Sequence, residues 1–542
     1  MSVTNAQASL AHLYRVFTKP EGQDSKLAQI ERHLSDNLAD FLSRHVVASN
    51  RSLEDIEQDF NQSLIPEQPQ FVSEHAEQLL DKLVAHSVNT YSPRFIGHMT
   101  SALPYFHLSL AKLLVGLNQN LVKIETSKAF TPLERQVLGM IHRLVYKHDD
   151  SFYQQYLHNA NRSLGSFCSG GTIANISALW VARNRLFAPR EQFRGISQDG
   201  LLAGMQEYGY KKLSVITSRR GHYSLGKAVD VLGLGRQSLL TLPCPNQTLD
   251  PQLALKEGQT ILAQGGKVMA LVALAGTTET GHIDPLDELA DVAAELGCHL
   301  HVDAAWGGAT LFSRRYGGLL KGIERADSVT LDAHKQMYVP MGAGMVLFKD
   351  PDAGNQVRHH AQYILRQGSK DLGATSLEGS RNGMAMMLYA SLHILGRNGY
   401  ELLIDQSIEK AKAFAAMIEA HPHFQLTTSP VLCLLTYRFV PEVVQSSLQA
   451  DAALAAQLNP LLDELTVAIQ KQQRESGHSF VSRTRLEIAA YDGPINVFRV
   501  VLANPLTSED DLADILAEQE RLACSLPQYQ QLLTTINSST TC

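Results

Sequence analysis

The sequence predicts an α/β fold built on a buried, mostly parallel β-sheet. Between about residues 160 and 350, short β-branched or apolar runs alternate with helical segments. The runs are apolar along nearly their whole length, as strands covered on both faces require. The predicted strands are Gly165–Cys168, Leu213–Thr217, Val268–Leu274, His299–Asp303, Ser328–Leu331 and Met345–Phe348. Ligands bind at the carboxyl ends of the strands in such sheets, so we expect functional residues there.

Helical segments precede this sheet, and a smaller α+β unit follows it. Apolar residues recur every three or four positions from Lys26 to Phe60, which predicts an amphipathic helix, and a second helical stretch follows from Val72 to Val88. The C-terminal part is predicted to contain a helix at 399–421, strands at 431–439 and 495–502, and a final helix from Ser508. We therefore predict three parts: a helical N-terminal segment at 1–95, a large α/β domain at 96–395 and a small α+β domain at 396–542.

Composition narrows the class of protein. The 542 residues include 47 Lys and Arg against 54 Asp and Glu, and the net charge of −7 argues against nucleic acid or an anionic membrane as a partner. No apolar run has membrane-spanning length, and the first residues lack the pattern of a secretory signal. The six cysteines form no CxxC pair and do not resemble a disulfide framework, so a cytoplasmic protein is predicted.

Two strand ends carry residues suited to pyridoxal phosphate. Lys335 follows the strand that starts at Ser328, and a lysine amine in a dry pocket can form an imine with an aldehyde. Asp303 ends another strand, where its carboxylate can pair with a pyridine nitrogen and keep it protonated, while Ala305 leaves room for a flat ring. An alternative interpretation makes His299, His301 and Asp303 metal ligands on one strand face.

Three further turns follow predicted strands. Ser169, Gly170, Gly171 and Thr172 lead into a helix, and a glycine turn at a helix N-terminus can bind phosphate through its N–H groups. His222 lies in a loop after the strand that ends at Thr217, where it could stack on a ring and transfer protons or simply fill the loop. Thr277 belongs to a hydroxyl-rich turn after a fourth strand. Together with Asp303 and Lys335, these turns predict a cofactor site.

These motifs resemble those of the group II pyridoxal-phosphate decarboxylases, the family of glutamate and aromatic amino-acid decarboxylases. The segments that carry the resemblance are Val302–Gly308, Asp332–Lys335 and Tyr91–Met99. The resemblance implies an aspartate-aminotransferase-like fold (fold type I) with a mostly parallel seven-stranded sheet. It implies that Lys335 binds pyridoxal 5'-phosphate as a Schiff base, that Asp303 pairs with the ring nitrogen and that His222 stacks on the ring. It also implies that the cradle Ser169–Thr172 and His334 hold the phosphate.

The same resemblance extends to the substrate and to a second subunit. The segment Asn496–Pro505 resembles one whose arginine grips the substrate α-carboxylate, which implies that Arg499 has this role. His98 lies in the segment that resembles the substrate pocket. The segment Leu377–Arg381, with Ser380, resembles one that reaches the phosphate of the neighbouring subunit, so the resemblance implies a homodimer with its active site at the interface.

The reaction implied is decarboxylation of an acidic L-amino acid. Many relatives use a tyrosine from a loop before Ser380 as the proton donor; here Tyr363 is the nearest upstream tyrosine, and His222 is the other candidate. The chain most resembles a bacterial branch that converts aspartate to β-alanine for pantothenate synthesis, so we predict aspartate as the substrate, with glutamate and its product γ-aminobutyrate as the alternative. A carbon–carbon lyase and a non-catalytic cofactor-binding protein are further alternatives.

Overall fold

Two β-sheets organise the molecule. The computed structural model of the chain describes residues 28–32, 46–69, 72–361, 368–450, 452–488, 491 and 493–539. The large sheet contains β1 (Gly165–Cys168), β2 (Leu213–Ser218), β3 (Leu239–Leu242), β4 (Lys267–Leu274), β5 (His299–Asp303), β6 (Ser328–Asp332) and β7 (Gly344–Phe348). The small sheet contains β8 (Phe424–Thr428), β9 (Leu434–Phe439), β10 (Ser482–Glu487) and β11 (Pro494–Val501).

The large sheet is mostly parallel, as the sequence predicts. Its strand order is β1-β7-β6-β5-β4-β2-β3, and every neighbouring pair from β6 through β3 is parallel. β7 is antiparallel to both β6 and β1, so β1 runs in the same direction as β6. The carboxyl ends of β1, β2, β4, β5 and β6 therefore meet along one edge of the sheet, which is the geometric basis of the site described below.

One strand of the large sheet, β3, was not predicted from the sequence. β3 pairs only with β2 at the sheet edge, and three of its four residues are not fully buried. A short edge strand lacks the continuous apolar run that marks a strand covered on both faces. The predicted inner strands agree with β2, β4, β5 and β6 to within one or two residues because those strands are buried throughout or nearly so.

The small sheet is antiparallel, with the order β10-β11-β9-β8. The two predicted strands correspond to β9 and β11, the two inner strands. The two edge strands were not predicted, and in β10 every second residue is charged and exposed. Inner strands were found from the sequence because burial makes them apolar, whereas edge strands carry polar residues.

Helices cover both sheets. The α-helices are Leu53–Glu57, Val72–Lys82, Phe106–Leu117, Ile124–Ser127, Phe130–Tyr146, Asp150–Tyr156, Gly171–Leu186, Ile196–Tyr208, Ser224–Val231, Pro251–Ala263, Leu286–Leu296, Ala385–Ile394, Gly396–Ala420, Glu442–Ala450, Ala452–Ser476, Glu509–Ser525 and Pro527–Ser539. Among the described residues, no helix combines the length and the apolar character needed to cross a membrane.

The N-terminal segment is less helical than the sequence predicts. Residues 28–32 are helical, as predicted, but residues 46–52 are not, and the helix Leu53–Glu57 begins only after them, so the predicted helix from Lys26 to Phe60 is interrupted. Ser52 caps that helix by accepting a hydrogen bond from the Asp55 amide, which favours a helix start at this point. Val47 is buried, and its amide donates to the Gly477 carbonyl, so tertiary contact overrides the helical periodicity here.

Candidate active site

A cavity of about 350 Å³ lies at the carboxyl edge of the large sheet. Most of the predicted cofactor residues line it: Ser169, Gly170, Gly171, Thr172, His222, Thr277, Asp303, Ala305, His334 and Lys335. They come from five separate turns, each of which follows the end of a different strand. The fold therefore gathers residues that are up to 166 positions apart in the chain, as Ser169 and Lys335 are.

Lys335 faces a buried carboxylate inside the cavity. β6 ends at Asp332, and the turn that follows brings the Lys335 Nζ to 3.2 Å from the Asp332 Oδ2. The other oxygen of Asp332, Oδ1, is buried without a hydrogen-bond partner among the described residues. His334 donates through Nδ1 to the Ala343 carbonyl at 3.0 Å, which leaves its Nε2 on the side of Asp332, 3.7 Å from Oδ2.

Asp303 is held at the end of β5 by two donors. Its Oδ2 accepts from the Asn175 Nδ2 at 2.8 Å, and its Oδ1 accepts from the Ala305 amide at 3.2 Å. His222 lies close to it: burial lowers the pKa of His222, and the Asp303 carboxylate opposes that shift. The His222 ring is therefore neutral at pH 7, as stacking on a flat cofactor ring without adding charge requires.

The glycine turn after β1 has the shape of an anion cradle. A Cβ at Gly171 would lie 2.8 Å from the Asp332 Oδ2, and a Cβ at Gly344 would lie 2.5 Å from the Gly170 Cα, so side chains are excluded here. The helix Gly171–Leu186 begins at this turn and directs its N-terminus at the cavity. The cradle, the lysine and the buried Asp303 carboxylate fit pyridoxal phosphate. The Ser169 amide donates to the Glu378 Oε2 at 3.0 Å.

Arg499 lies behind the cavity rather than in its wall. Its Nε donates to the carbonyl of Thr278, a residue of the cavity wall, at 2.9 Å, and its Nη1 donates to the Gly97 carbonyl at 3.2 Å. Its Nη2 is buried without a partner among the described residues. Burial lowers the pKa of Arg499 to about 10, and Glu279 opposes the shift, so the guanidinium stays charged at neutral pH. A buried charge of this kind favours an anionic ligand.

Two other predicted residues, His98 and Ser380, also lie outside the cavity wall in this chain. His98 is exposed, with its Nδ1 3.1 Å from the Thr100 Oγ1, although Met99 beside it lines the cavity. Ser380 is exposed, and its hydroxyl accepts from the Asn120 Nδ2 at 2.9 Å. Tyr363 falls outside the described residues.

The cavity wall also contains polar and charged residues to which the sequence analysis gave no role, among them Asn175, Arg220 and Asp332. Arg220 directly precedes the loop that carries His222, and its Nε is buried without a partner among the described residues. Asn175 and Asp332 lie within motifs that the sequence analysis did recognise. Their positions in the sequence could have indicated a role: Asn175 lies three residues after Thr172, and Asp332 lies three residues before Lys335.

The two histidines of β5 form hydrogen bonds with a serine rather than a metal site. The His301 Nδ1 and the His299 Nε2 both contact the hydroxyl of Ser328, at 2.8 Å and 2.7 Å. In the part of the chain that the structure describes, no group of three or more His, Cys, Asp or Glu side chains could hold a metal ion. The shared strand face was predicted, but its histidines bind a serine.

Comparison with known proteins agrees with this geometry. The family model described as the pyridoxal-dependent decarboxylase conserved domain matches residues 53–440. An aspartate 1-decarboxylase of Aliivibrio fischeri is 57% identical over 537 residues, which cover 97% of this chain and 98% of the relative. A cysteine sulfinic acid decarboxylase of Rattus norvegicus is 28% identical and matches 84% of this chain and 87% of the relative. The crystal structure of mouse CSAD matches with a TM-score of 0.80 at 25% identity, covering 92% of this chain and 98% of that one.

Proposed function

The chain belongs to the pyridoxal-dependent decarboxylase family, and we propose that it decarboxylates L-aspartate to β-alanine. It is a lyase that uses pyridoxal phosphate and has the fold of that family. The choice of aspartate is supported by the 57% identical relative, which is an aspartate 1-decarboxylase and is matched over nearly its full length. The product would supply pantothenate synthesis in the cytoplasm, the compartment that the sequence predicts.

The guanidinium groups of Arg499 and Arg220 support an acidic substrate. Within the described part of the chain, neither the Arg499 Nη2 behind the cavity wall nor the Arg220 Nε in that wall has a hydrogen-bond partner. Glu487 binds Arg219 through its carboxylate but Arg220 only through its backbone carbonyl, at 3.4 Å, so Arg220 keeps its charge for another anion. One cation in the cavity wall and a second directly behind that wall suit an amino acid with two carboxylates.

Each residue then has a proposed task. Lys335 holds pyridoxal phosphate covalently, Asp303 faces the ring nitrogen and His222 packs on the ring. Arg499 grips the α-carboxylate, which orients the bond to be broken. Arg220 binds the side-chain carboxylate. The cofactor supplies an electron sink for the bond that breaks.

The proton that replaces the carboxylate needs a donor, and we propose Tyr363 for this task. Replacement of Tyr363 by phenylalanine is expected to lower kcat with little change in cofactor affinity. If Tyr363→Phe keeps full kcat, the role passes to His222, which lies in the cavity wall.

The direct test measures carbon dioxide and amine product from purified protein with pyridoxal phosphate. L-Aspartate, L-glutamate and cysteine sulfinate are offered separately, with Lys335→Ala as the control that abolishes turnover. We expect aspartate to be preferred, by about 10- to 200-fold over glutamate, because one methylene separates the two substrates. Preference for glutamate would refute the choice of aspartate and leave the decarboxylase assignment intact.

We also propose that the protein is a homodimer. Apolar side chains surround the mouth of the cavity: Met341 is 64% and Tyr223 65% exposed, and both line the cavity. Exposed apolar clusters of this kind favour a protein interface. Sedimentation equilibrium should give twice the mass of the chain, and a monomer at micromolar concentration would refute the proposal.

A further inference from the structure

A continuous line of buried hydrogen bonds runs from Asp303 into the sheet, away from the cavity. The Asn175 Nδ2 donates to the Asp303 Oδ2 at 2.8 Å, and the Asn175 Oδ1 lies 3.0 Å from the His301 Nε2. Beyond His301 come the Ser328 hydroxyl, at 2.8 Å from Nδ1, and the His299 Nε2, at 2.7 Å from that hydroxyl. All five side chains are buried.

The orientation of the Asn175 amide follows from a backbone group. The Ser224 amide donates to the His222 Nδ1 at 3.3 Å, which makes this nitrogen an acceptor. The Ser224 hydroxyl, 2.8 Å from the same nitrogen, must then donate to it and accept from Asn175 at 3.0 Å. The Asn175 atom that faces Ser224 is therefore the NH₂ nitrogen, and its second hydrogen points at Asp303.

The same logic fixes the rest of the line. The Asn175 Oδ1 only accepts, so the His301 Nε2 carries the hydrogen and its Nδ1 accepts from Ser328. The Ser328 hydroxyl in turn accepts from the His299 Nε2. Burial lowers the pKa of His301 and of His299 to about 4, so both rings are neutral and each has one tautomer. Every donor points toward Asp303.

We propose that His301 and Asn175 are positioning residues that hold the Asp303 carboxylate in one orientation toward the cofactor ring nitrogen. The inference rests on the proposed role of Asp303 in the decarboxylase. A buried carboxylate keeps its charge only when donors compensate for lost water, and a neutral acid would no longer stabilise a protonated ring nitrogen. The same Asn175 nitrogen also donates to the Ser224 hydroxyl, which in turn donates to His222. The Asn175 amide therefore helps to orient both Asp303 and His222.

The test compares His301→Leu with His301→Gln, whose amide keeps a donor on the side of Asn175. Pyridoxal-phosphate affinity is measured by fluorescence titration of the apoprotein, and the visible absorption of the bound cofactor reports its protonation. His301→Leu is expected to weaken cofactor binding by about 5- to 30-fold and to change the absorption spectrum, while His301→Gln stays within about 3-fold of the unmodified protein.

His142→Leu is the matched control. His142 is equally buried in the large domain, but it binds Tyr153 and the Phe348 carbonyl and has no contact with the line of hydrogen bonds. It should lose stability without losing cofactor affinity. If His301→Leu does not fold, Ser328→Ala takes its place, because it removes the donor to the His301 Nδ1.

Two results would overturn the inference: unchanged affinity and spectrum in His301→Leu or its replacement, or equal weakening in His142→Leu. Asp303→Asn distinguishes a failure of this inference from a failure of the proposed role of Asp303 at the ring nitrogen. If Asp303→Asn binds the cofactor with unchanged affinity and spectrum, the role of Asp303 itself fails. If Asp303→Asn is impaired but His301→Leu is not, only the positioning role fails.

Discussion

Replacement of Arg220 by methionine tests whether this residue recognises the side-chain carboxylate of the substrate. Methionine keeps much of the side-chain length and removes the charge. Within the protein little is lost, because the Nε has no partner among the described residues and the Nη2 makes one long contact of 3.4 Å with the Glu487 carbonyl. The folded protein should therefore lose little stability, and the effect should fall on substrate binding.

The magnitude follows from the bond that disappears. A hydrogen bond to a charged group contributes about 1.5–3 kcal/mol, and each 1.36 kcal/mol is tenfold, so kcat/KM for aspartate should fall by about 10- to 150-fold. Succinate, a dicarboxylate without an amino group, should lose inhibitory strength by a similar factor. Cofactor affinity should change little, because among the described residues no hydrogen bond joins Arg220 to Lys335, Asp303 or the glycine cradle.

The neighbouring Arg219 provides the matched control. It is exposed, and it pairs with the Glu487 carboxylate at 3.3 Å, where both side chains are more than half exposed, so its contribution to stability is small. Arg219→Met should leave kcat/KM within about 3-fold of the unmodified enzyme. Equal losses in both variants would show a general charge effect, and an unchanged kcat/KM in Arg220→Met would refute the assignment of Arg220 to the substrate.

Three further predictions concern the cradle, a buried ion pair and acid stability. Gly171→Ala places a Cβ 2.8 Å from the Asp332 Oδ2 and should weaken cofactor binding at least about 10-fold in a fluorescence titration, whereas Gly226→Ala, with open space around it, should have no effect. Glu134→Gln leaves the Arg381 guanidinium buried without its carboxylate and should lower the free energy of unfolding by about 3–5 kcal/mol in urea; a loss below about 1 kcal/mol would contradict the buried pair. Burial lowers the pKa of His142 to about 4 from 6.5, so the unfolded chain takes up the proton first and stability falls as the pH drops below 6.5. Between pH 6.5 and 5 this residue alone should cost about 2 kcal/mol, and His142→Gln should reduce the loss measured from urea midpoints.

Much of the site could be predicted because strand ends are visible in the sequence. β4 is an almost continuous apolar run, and β5 and β6 are short buried strands in which apolar residues alternate with polar ones. Asp303 is the last residue of β5, and Thr277 and Lys335 each lie three residues beyond the end of a strand. The parallel arrangement then brings these strand ends to one edge. The edge strands β3, β8 and β10 were not predicted, because their residues face solvent or mix polar with apolar character, whereas the edge strand β1 was predicted and is buried throughout.

The sequence by itself determined which chemical groups the protein places at its strand ends, because that information is local and each group lies within a few residues of an apolar run. Only the tertiary structure decided which groups meet. Asn175 binds an aspartate 128 positions away, and Arg499 reaches the carbonyl of Thr278 across 221 positions. Such contacts depend on how a helix lies on the sheet and how the small sheet packs against the large one. No periodicity encodes these distances, since they are set by packing between elements rather than by the order of residues within one.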